Sequence, residues 1–435
     1  MTMIGSEGKT MKRLVQGVVV AVLLIFYTIG FAADGVGKAN TSDDLGFKLG
    51  IVHLHPELVL STQYDTNVQN AHDNEIADMV FNVRGGIAMD IPAKTVGFTL
   101  EGFVGYSKYF GIDNDSSTKL DSLDVKGRLS LSVLKDAIIN IQMNDSIVRS
   151  SVPEGITVYD VQDRIFNDAF VRFVVQPNGQ SGTLKVMLGY RNGFNHYDKD
   201  SYRNNNYLKH TGELGLQWKF FPKTSLFFSG SFGYQDYYEF RADPTAGQEK
   251  SPNAMPLQLS VGVAGRVTSF MLIKLSVGYV NSLSDELEGY NSANATAEAT
   301  FQPLENVGIT LGYNRANNVV NIHGSMAANK AYLELKAWTI NDRLRFSVPC
   351  SYQYMQYGNA PDDTTIVDLR GKGRNDHVIR VEPEVAFYAT PWFGISVQYT
   401  FMMRDSDLEF ADTSGNTVNY DFIKHQAMLG LTFRY

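Results

Sequence analysis

The sequence predicts an all-β protein, a single antiparallel up-and-down β-barrel of about eighteen strands, with sixteen or twenty as alternatives. Two observations predict this fold. Apolar and polar residues alternate with a period of two over successive segments of about ten residues, which is the repeat of a strand with one apolar face. Short turns also alternate with longer polar loops, as expected when all turns lie at one end of a barrel and all loops at the other.

The bulk composition narrows the possible functions. The chain has 435 residues, a charged fraction of 19% and a formal net charge of −8, which argues against a broadly basic surface that binds nucleic acid. The single cysteine, Cys350, excludes an intramolecular disulfide and a thiolate cluster for a structural metal. Tyr, Phe and Gly are abundant, which suits a barrel, although a β-propeller has a similar composition.

No catalytic motif stands out. The sequence has no H-E-x-x-H, no G-x-S-x-G and no phosphate-binding glycine loop, so we predict no enzyme activity and no cofactor. His53 and His55 form the only close histidine pair. A lone pair without a nearby carboxylate cluster is more often incidental than a metal site, and we predict no metal there.

The N-terminus has the pattern of a secretory signal peptide. Lys12 and Arg13 precede an apolar run at 14–29, and small residues stand at the −3 and −1 positions of a cleavage after Ala32. We therefore predict a signal peptide at 1–32. An uncleaved membrane anchor is the alternative.

The rest of the chain divides into a periplasmic lead-in at 33–54 and a transmembrane β-barrel at 55–435. No later stretch is apolar enough to cross a membrane as a helix, so membrane insertion must use strands. The exported chain is thus predicted to be a multi-pass barrel in the outer membrane of a Gram-negative bacterium, in contact with outer-membrane lipid.

Each strand is predicted from its own alternation and from the turn residues at its ends. Turns such as Pro92-Ala93-Lys94 are short, whereas the loops at 150–167 and 316–328 are long and polar. An even number of strands returns the C-terminus to the side on which the barrel begins. In chain order the predicted strands lie at 58–64, 80–91, 95–110, 119–134, 137–149, 168–176, 183–197, 206–220, 225–240, 255–268, 271–281, 291–302, 307–315, 329–339, 343–357, 375–389, 392–404 and 419–435.

The two faces of the strands have different compositions. The outward face is apolar, except that the strand at 291–302 presents mainly alanine and could be covered by a loop or a neighbouring subunit. Aromatic residues gather towards the strand ends, which predicts two girdles at the level of the lipid headgroups.

The inward face carries an excess of basic residues, sixteen Lys and Arg against nine Asp and Glu, although the whole chain is acidic. An eighteen-stranded barrel leaves room for an aqueous lumen, and basic side chains in such a lumen favour anions. For any single residue, pairing with an acid on the next strand is the simpler explanation. The predicted pore-lining residues are Arg84, Lys126, Arg128, Arg172, Arg191, Lys209, Glu213, Arg380, Glu382, Glu384 and Arg404.

The last strand, Ile423 to Tyr435, alternates apolar and polar residues and stops at an aromatic. It resembles the closing strand of bacterial outer-membrane β-barrels. In those proteins the terminal aromatic and the apolar residues before it are the signal read by the barrel assembly machinery. The resemblance implies that Leu429, Leu431, Phe433 and Tyr435 form this assembly signal.

The first strand carries a second resemblance. Pro56 and the corner Tyr64-Asp65-Thr66-Asn67 are similar to the opening of a family of outer-membrane β-barrel porins, largely uncharacterised barrels of Gram-negative bacteria, some of which are associated with exopolysaccharide export. The resemblance implies a general porin or an outer exit for a polymer. Asp and Asn also suit a turn at the end of a strand for purely local reasons.

Taken together, the sequence favours a passive channel for hydrophilic solutes with a weak preference for anions. The alternative is an exit barrel for exopolysaccharide, and a closed structural or adhesive barrel is the third interpretation. The solute and the oligomeric state are left open. In the exopolysaccharide alternative the inward aromatics would matter, namely Phe103, Tyr207, Phe227, Tyr237, Tyr352 and Tyr388.

Overall fold

A computed structural model of the chain describes most of residues 46–435. The described part excludes 94, 114, 136, 151–162, 180–181, 199–202, 204, 240–252, 284–289, 321–323, 340–342, 360–372 and 412–416. The predicted signal peptide, most of the predicted lead-in and the centres of several long loops therefore lie outside the described residues.

Eighteen antiparallel strands form the barrel wall, which confirms the predicted fold. The strands are β1 (Val52–Asp65), β2 (Asp78–Pro92), β3 (Val96–Tyr109), β4 (Ser122–Val133), β5 (Ile139–Ser150), β6 (Arg164–Val175), β7 (Leu184–Tyr197), β8 (Tyr207–Phe221), β9 (Thr224–Asp236), β10 (Leu257–Thr268), β11 (Met271–Asn281), β12 (Asn291–Leu304), β13 (Val307–Val320), β14 (Gly324–Thr339), β15 (Leu344–Tyr357), β16 (Arg374–Val381 and Glu384–Thr390), β17 (Phe393–Ser406) and β18 (Phe422–Arg434).

Each strand pairs with its neighbours in the sequence, and the two ends of the sheet pair with each other. In this seam β1 runs antiparallel to β18, with Leu58 opposite Phe433 and Tyr64 opposite Ala427. Closure leaves neither end strand with an unpaired edge in the seam. The described residues contain no helix long and apolar enough to span a membrane.

The outer face of the wall is apolar and exposed. Leu188, Val261 and Leu311 are each more than half exposed, and many other large apolar side chains share their orientation. Such a surface would be unusual in a water-soluble protein. It is the surface expected of a barrel whose outside contacts lipid, because there the apolar side chains face hydrocarbon.

Exposed aromatic residues mark both ends of this apolar band, as predicted. Tyrosines lie towards the ends that carry the long loops, and Trp and Phe are common at the ends that carry the short turns. The loop-side group includes Tyr64, Tyr106, Tyr234 and Tyr279, and the turn-side group includes Trp218, Phe221, Phe270, Phe301 and Trp392. We call these two ends the loop side and the turn side.

The prediction of a loop at 316–328 is wrong. β13 and β14 continue to Val320 and Gly324, so only three residues separate them. The sequence suggested a loop because asparagines such as Asn317 and Asn318 are poor strand formers. The main chain of this hairpin nevertheless pairs regularly, since Asn317 lies opposite Ala327 and Asn318 opposite Met326.

The barrel also begins earlier than residue 55. β1 starts at Val52, and the short strand Phe47–Leu49 folds back to pair with Val52–Leu54. The last residues of the segment predicted as a lead-in are therefore part of the sheet. Between β3 and β4 the chain forms a short 3-10 helix at Asp115–Leu120, and between β17 and β18 the strands Glu409–Ala411 and Thr417–Asn419 pair with each other.

Candidate functional site

Every predicted pore-lining residue occupies an inward-facing position of its strand. These positions alternate with the exposed apolar residues of the outer face, and the cross-strand pairing keeps the two sets on opposite sides of the wall. The inward set includes Arg84, Lys126, Arg128, Arg172, Arg191, Lys209, Glu213, Arg380, Glu382, Glu384 and Arg404. This placement is compatible with a role in the lumen, which stays a prediction.

The sequence missed further charged residues on the same face. Most of them lie just outside the ends of predicted strands, and Lys330 and Asp376 are the second residues of the strands predicted at 329–339 and 375–389. With them the inward positions of the eighteen described wall strands hold nineteen Lys and Arg and thirteen Asp and Glu, so the excess of basic residues remains. The added residues are Glu57, Asp65, Asp78, Arg164, Lys330, Arg374 and Asp376.

Four charged side chains on β6, β7 and β8 form a paired belt on the wall. Arg191 Nη1 lies 2.9 Å from Asp168 Oδ1, and Arg191 Nε donates to Glu213 Oε1 at 2.8 Å. Arg172 Nη2 donates to the other oxygen of Glu213, also at 2.8 Å. Both guanidinium carbons lie about 5 Å from the ring centre of Phe170. Two cations and two carboxylates thus compensate each other, which is the pairing that the sequence left as the simpler explanation.

A cavity of about 290 Å³ lies beside this belt. Its lining includes Arg172 and Glu213, polar side chains from β9 and β10, and the apolar residues Met187 and Leu214. Ser229 and Ser231 are among the polar residues, and the hydroxyl of Ser229 is hydrogen bonded to Ser260 at 2.6 Å. The cavity wall therefore combines charged and neutral hydrogen-bonding groups.

Other basic residues of the inward face have no such compensation. Lys126, Arg128, Arg266 and Lys274 are exposed, and none of the four forms a salt bridge within 4.0 Å to another described residue. In contrast, the carboxylates of Asp168, Glu213 and most other inward acids accept hydrogen bonds from a neighbouring side chain or backbone amide. The wall thus presents more unpaired positive than negative charge within the part of the chain that the structure describes.

Arg404 differs from the other predicted pore-lining residues because it is buried, with only 6% of its surface exposed. It belongs to a loop-side cluster in which Arg374 Nε donates to Asp376 Oδ1 at 2.7 Å and Arg404 donates to the other oxygen. The ring of Tyr420, from the last loop, covers the guanidinium carbon of Arg374 at 4.0 Å. Arg404 therefore anchors the loop side and does not line an open surface.

Of the six aromatics proposed for a polymer path, one faces outward and one is buried beyond the end of its strand, where it contacts the inward residues Tyr207 and Gln235. Tyr352 faces outward, where its hydroxyl is hydrogen bonded to His377 Nδ1 at 2.7 Å. Arg345 on the same strand faces inward, and a residue seven positions further must face the opposite way. Tyr237 lies beyond the end of β9 and is buried. Phe103, Tyr207, Phe227 and Tyr388 occupy inward positions.

The Tyr-Asp-x-Asn corner fastens the seam on the loop side. Asp65 Oδ1 accepts the backbone N–H of Asn67 at 2.9 Å, and the side chain of Asn67 closes the following turn through two 2.8 Å hydrogen bonds to Ala71. The Asn67 amide also donates to the carbonyl of Ile423 in β18 at 3.3 Å. The motif thus has a local structural role in joining the first and last strands.

Asp121 fastens the loop between β3 and β4. It accepts hydrogen bonds from Lys108 Nζ at 2.5 Å, from the backbone N–H of Tyr109 at 2.8 Å and from the hydroxyl of Tyr106 at 3.1 Å. Burial acts to raise the pKa of the Asp121 carboxyl, but these hydrogen bonds outweigh it and lower the pKa below its ordinary value of 3.8.

The four residues of the predicted assembly signal lie on the outer face of the seam. Leu429 and Leu431 are opposite Thr62 and Leu60, and Phe433 is opposite Leu58. At the turn side the backbone N–H of Tyr435 donates to the carbonyl of Pro56 at 3.0 Å, and the Tyr435 ring lies 4.7 Å from that of Phe47. Their use as a signal stays a prediction.

No family model and no curated protein matches the sequence. Among solved structures, the chain is similar to OpdK of Pseudomonas aeruginosa with vanillate, at 11% identity over 88% of this chain and 99% of that chain, with a TM-score of 0.46. It is similar to a mutant of the ferric enterobactin receptor PfeA of the same organism (8% identity, 88% and 80%, TM-score 0.46) and to OccAB4 of Acinetobacter baumannii (11% identity, 88% and 98%, TM-score 0.45).

Proposed function

We propose that the chain forms a passive channel in the outer membrane for hydrophilic solutes, with a preference for anions. The observation that carries the proposal is the excess of uncompensated basic side chains on the inward face of an eighteen-stranded wall. Barrels of this size leave an aqueous interior. Exposed Lys and Arg in such an interior raise the local concentration of anions and provide donors for carboxylate and phosphate groups.

In the proposed channel, the paired belt and the unpaired cations have different roles. Arg172, Arg191, Asp168 and Glu213 carry no net charge as a group, so their contribution is the directed hydrogen bonds that they offer to a passing solute. Lys126, Arg128, Arg266 and Lys274 supply the net field, because none of them forms a salt bridge with a described carboxylate, although Glu101 lies opposite Arg128 and Glu298 opposite Lys274 in the sheet. Ion preference should therefore follow the unpaired residues.

Planar-bilayer recordings test the proposal. The wild-type chain should give steady single-channel currents, and its reversal potential across a KCl gradient should indicate anion preference. Replacing two unpaired cations, Lys126→Gln with Arg128→Gln, should move the reversal potential towards cation preference. Arg315→Gln is the matched control, because it removes an outer-face cation that forms no salt bridge with a described carboxylate. Absence of steady current, or cation preference of the wild type, would refute the proposal.

We further propose that the chain reaches the membrane by export and assembly, with cleavage after Ala32 and recognition of β18 by the barrel assembly machinery. The N-terminal pattern supports the first step. The second is supported by the outward orientation of Leu429, Leu431, Phe433 and Tyr435 beside the seam. Sequencing the N-terminus of the mature protein tests the cleavage, since a start at Ala33 is expected.

A further inference from the structure

We infer that His53, His55 and Asp90 form a binding site for a divalent transition-metal ion, for which Zn²⁺ is the best-suited candidate. The site lies on the inner wall towards the turn side, where the chain enters the barrel. It is separate from the charged belt on β6 to β8. The inference does not depend on the proposed channel function.

The fold brings the three side chains together through strand geometry. His53 and His55 are two residues apart in β1 and therefore project from the same face, with ring centroids 6.4 Å apart. Asp90 in β2 is the direct cross-strand neighbour of His53. Asp90 is one of the predicted inward acids, but its proximity to the histidines depends on the register of β1 and β2, because it is 35 residues away from His55 along the chain.

Both imidazoles face the same carboxylate. His55 Nε2 lies 2.9 Å from Asp90 Oδ1, and His53 Nδ1 lies 3.5 Å from Asp90 Oδ2. One ligand atom from each of the three residues lies within 4.8 Å of the other two. In a tetrahedral zinc site, with metal–ligand distances of about 2.0–2.2 Å, neighbouring ligand atoms are roughly 3.3–3.6 Å apart. The three side chains would therefore have to close by at most about 1.5 Å to hold the ion.

The chemistry of the three groups fits a zinc ion with an open coordination position. Two imidazoles and one carboxylate are common Zn²⁺ ligands, and three protein ligands leave at least one place for water or a solute group. The side chains of His53, His55 and Asp90 are 24%, 22% and 33% exposed. They are thus held by the wall and still reachable from the water of the lumen.

The ring of His55 is held by the wall on one side and by the preceding chain on the other. Without a metal, Nε2 donates to the Asp90 carboxylate at 2.9 Å, so a metal bound at Nε2 would replace this proton. The other ring nitrogen, Nδ1, is buried and has no hydrogen-bond partner among the residues described. Gly46 packs against this nitrogen with a φ of +123°, and a Cβ at that position would lie only 2.7 Å from Nδ1. A glycine is therefore required for the preceding chain to cover the ring.

Titration of the purified, folded barrel with Co²⁺ and Zn²⁺ tests the inference. Co²⁺ is a spectroscopic probe for sites that bind Zn²⁺, and its visible absorption reports bound imidazole and a low coordination number. We expect saturation at one Co²⁺ per chain and displacement by Zn²⁺. His53→Ala, His55→Ala and Asp90→Asn should each weaken binding by about tenfold or more, since metal sites depend strongly on each ligand. His72→Ala, in the loop after β1, is the matched control.

Three outcomes would contradict a metal site at His53, His55 and Asp90. Absence of saturable binding by the wild type would overturn the inference without reference to any variant, so a folding defect of a variant cannot obscure it. Unchanged binding by both histidine variants would also overturn it, because the metal would then be held elsewhere. Loss of binding in the His72 variant together with the other three would point to a different site. Heat-modifiable migration on gels shows whether each variant is folded.

Discussion

Neutralising Glu213 should weaken the paired belt and increase anion preference at the same time. In the wild type, Glu213 accepts hydrogen bonds of 2.8 Å from both Arg172 and Arg191. Glu213→Gln keeps the size of the side chain but removes its charge. Arg172 then loses its only salt-bridge partner among the described residues, and Arg191 keeps Asp168. The wall gains one net positive charge at this level.

Coulomb's law gives the size of the effect on selectivity. A unit charge about 7 Å from a permeating ion changes the ion's free energy by roughly 0.6 kcal/mol in water. At an ionic strength of 0.1 M, where the Debye length is about 10 Å, screening reduces this to roughly 0.3 kcal/mol. The same charge stabilises an anion and destabilises a cation by this amount, so the anion-to-cation permeability ratio should rise by about threefold, and by up to about eightfold in dilute salt.

The assay is the reversal potential across a tenfold KCl gradient, measured at two mean salt concentrations. Asp145→Asn is the matched control, because Asp145 also accepts a hydrogen bond from a neighbouring strand but faces outward. It should leave the permeability ratio unchanged. An equal shift in both variants, or a shift of Glu213→Gln towards cations, would refute the assignment of the belt to the inner wall of a conducting lumen.

Three further predictions concern assembly and stability. Deleting Phe433–Tyr435 should reduce the amount of folded barrel in the membrane far more than the conductance of the molecules that insert, and normal membrane levels would contradict this. Asp376→Asn leaves Arg374 and Arg404 buried without their carboxylate, so urea unfolding should show a loss of about 3 kcal/mol or more; a wild-type midpoint would contradict the cluster's role. Asp121 has a lowered pKa in the folded protein, so its stabilising effect is present above about pH 3.8 and is lost as the pH falls below that value. Asp121→Asn should therefore lower the urea midpoint at pH 6 but not at pH 2, and an equal deficit at both would argue against the ionised carboxylate.

The faces of the strands could be predicted from the sequence because the period of two is imposed by strand geometry. Lys126 and Arg128 alternate with Leu123, Val125 and Leu129, and no other information is needed to place them inside. The same reasoning is less secure at strand ends. Arg374 was missed as an inward residue because it was assigned to the loop before the strand predicted at 375–389, and the end of a strand cannot be predicted from alternation alone.

Other features could not be predicted because they depend on contacts between distant parts of the chain. Arg404 has the predicted inward orientation, yet its burial comes from Arg374, Asp376 and Tyr420, which only the folded loop side brings together. The pair His53 and His55 was interpreted as incidental because Asp90 joins it only through the register of β1 and β2. The face on which a side chain lies follows from its position within its own strand. Burial and clustering depend on residues that are distant in the sequence.

The polar contacts at the two ends of the seam between β1 and β18 affect the width of the barrel. A slip of two residues between β1 and β18 would keep every apolar side chain on the outer face, so hydrophobicity alone does not fix the register. The salt bridge of 3.0 Å between Lys424 and Asp65 and the hydrogen bond from Tyr435 to Pro56 would both be broken by such a slip. The diameter of a closed sheet depends on the strand number and the shear, and the seam register sets the shear. These two polar contacts, at opposite ends of the β1–β18 pair, therefore help to fix the diameter of the barrel.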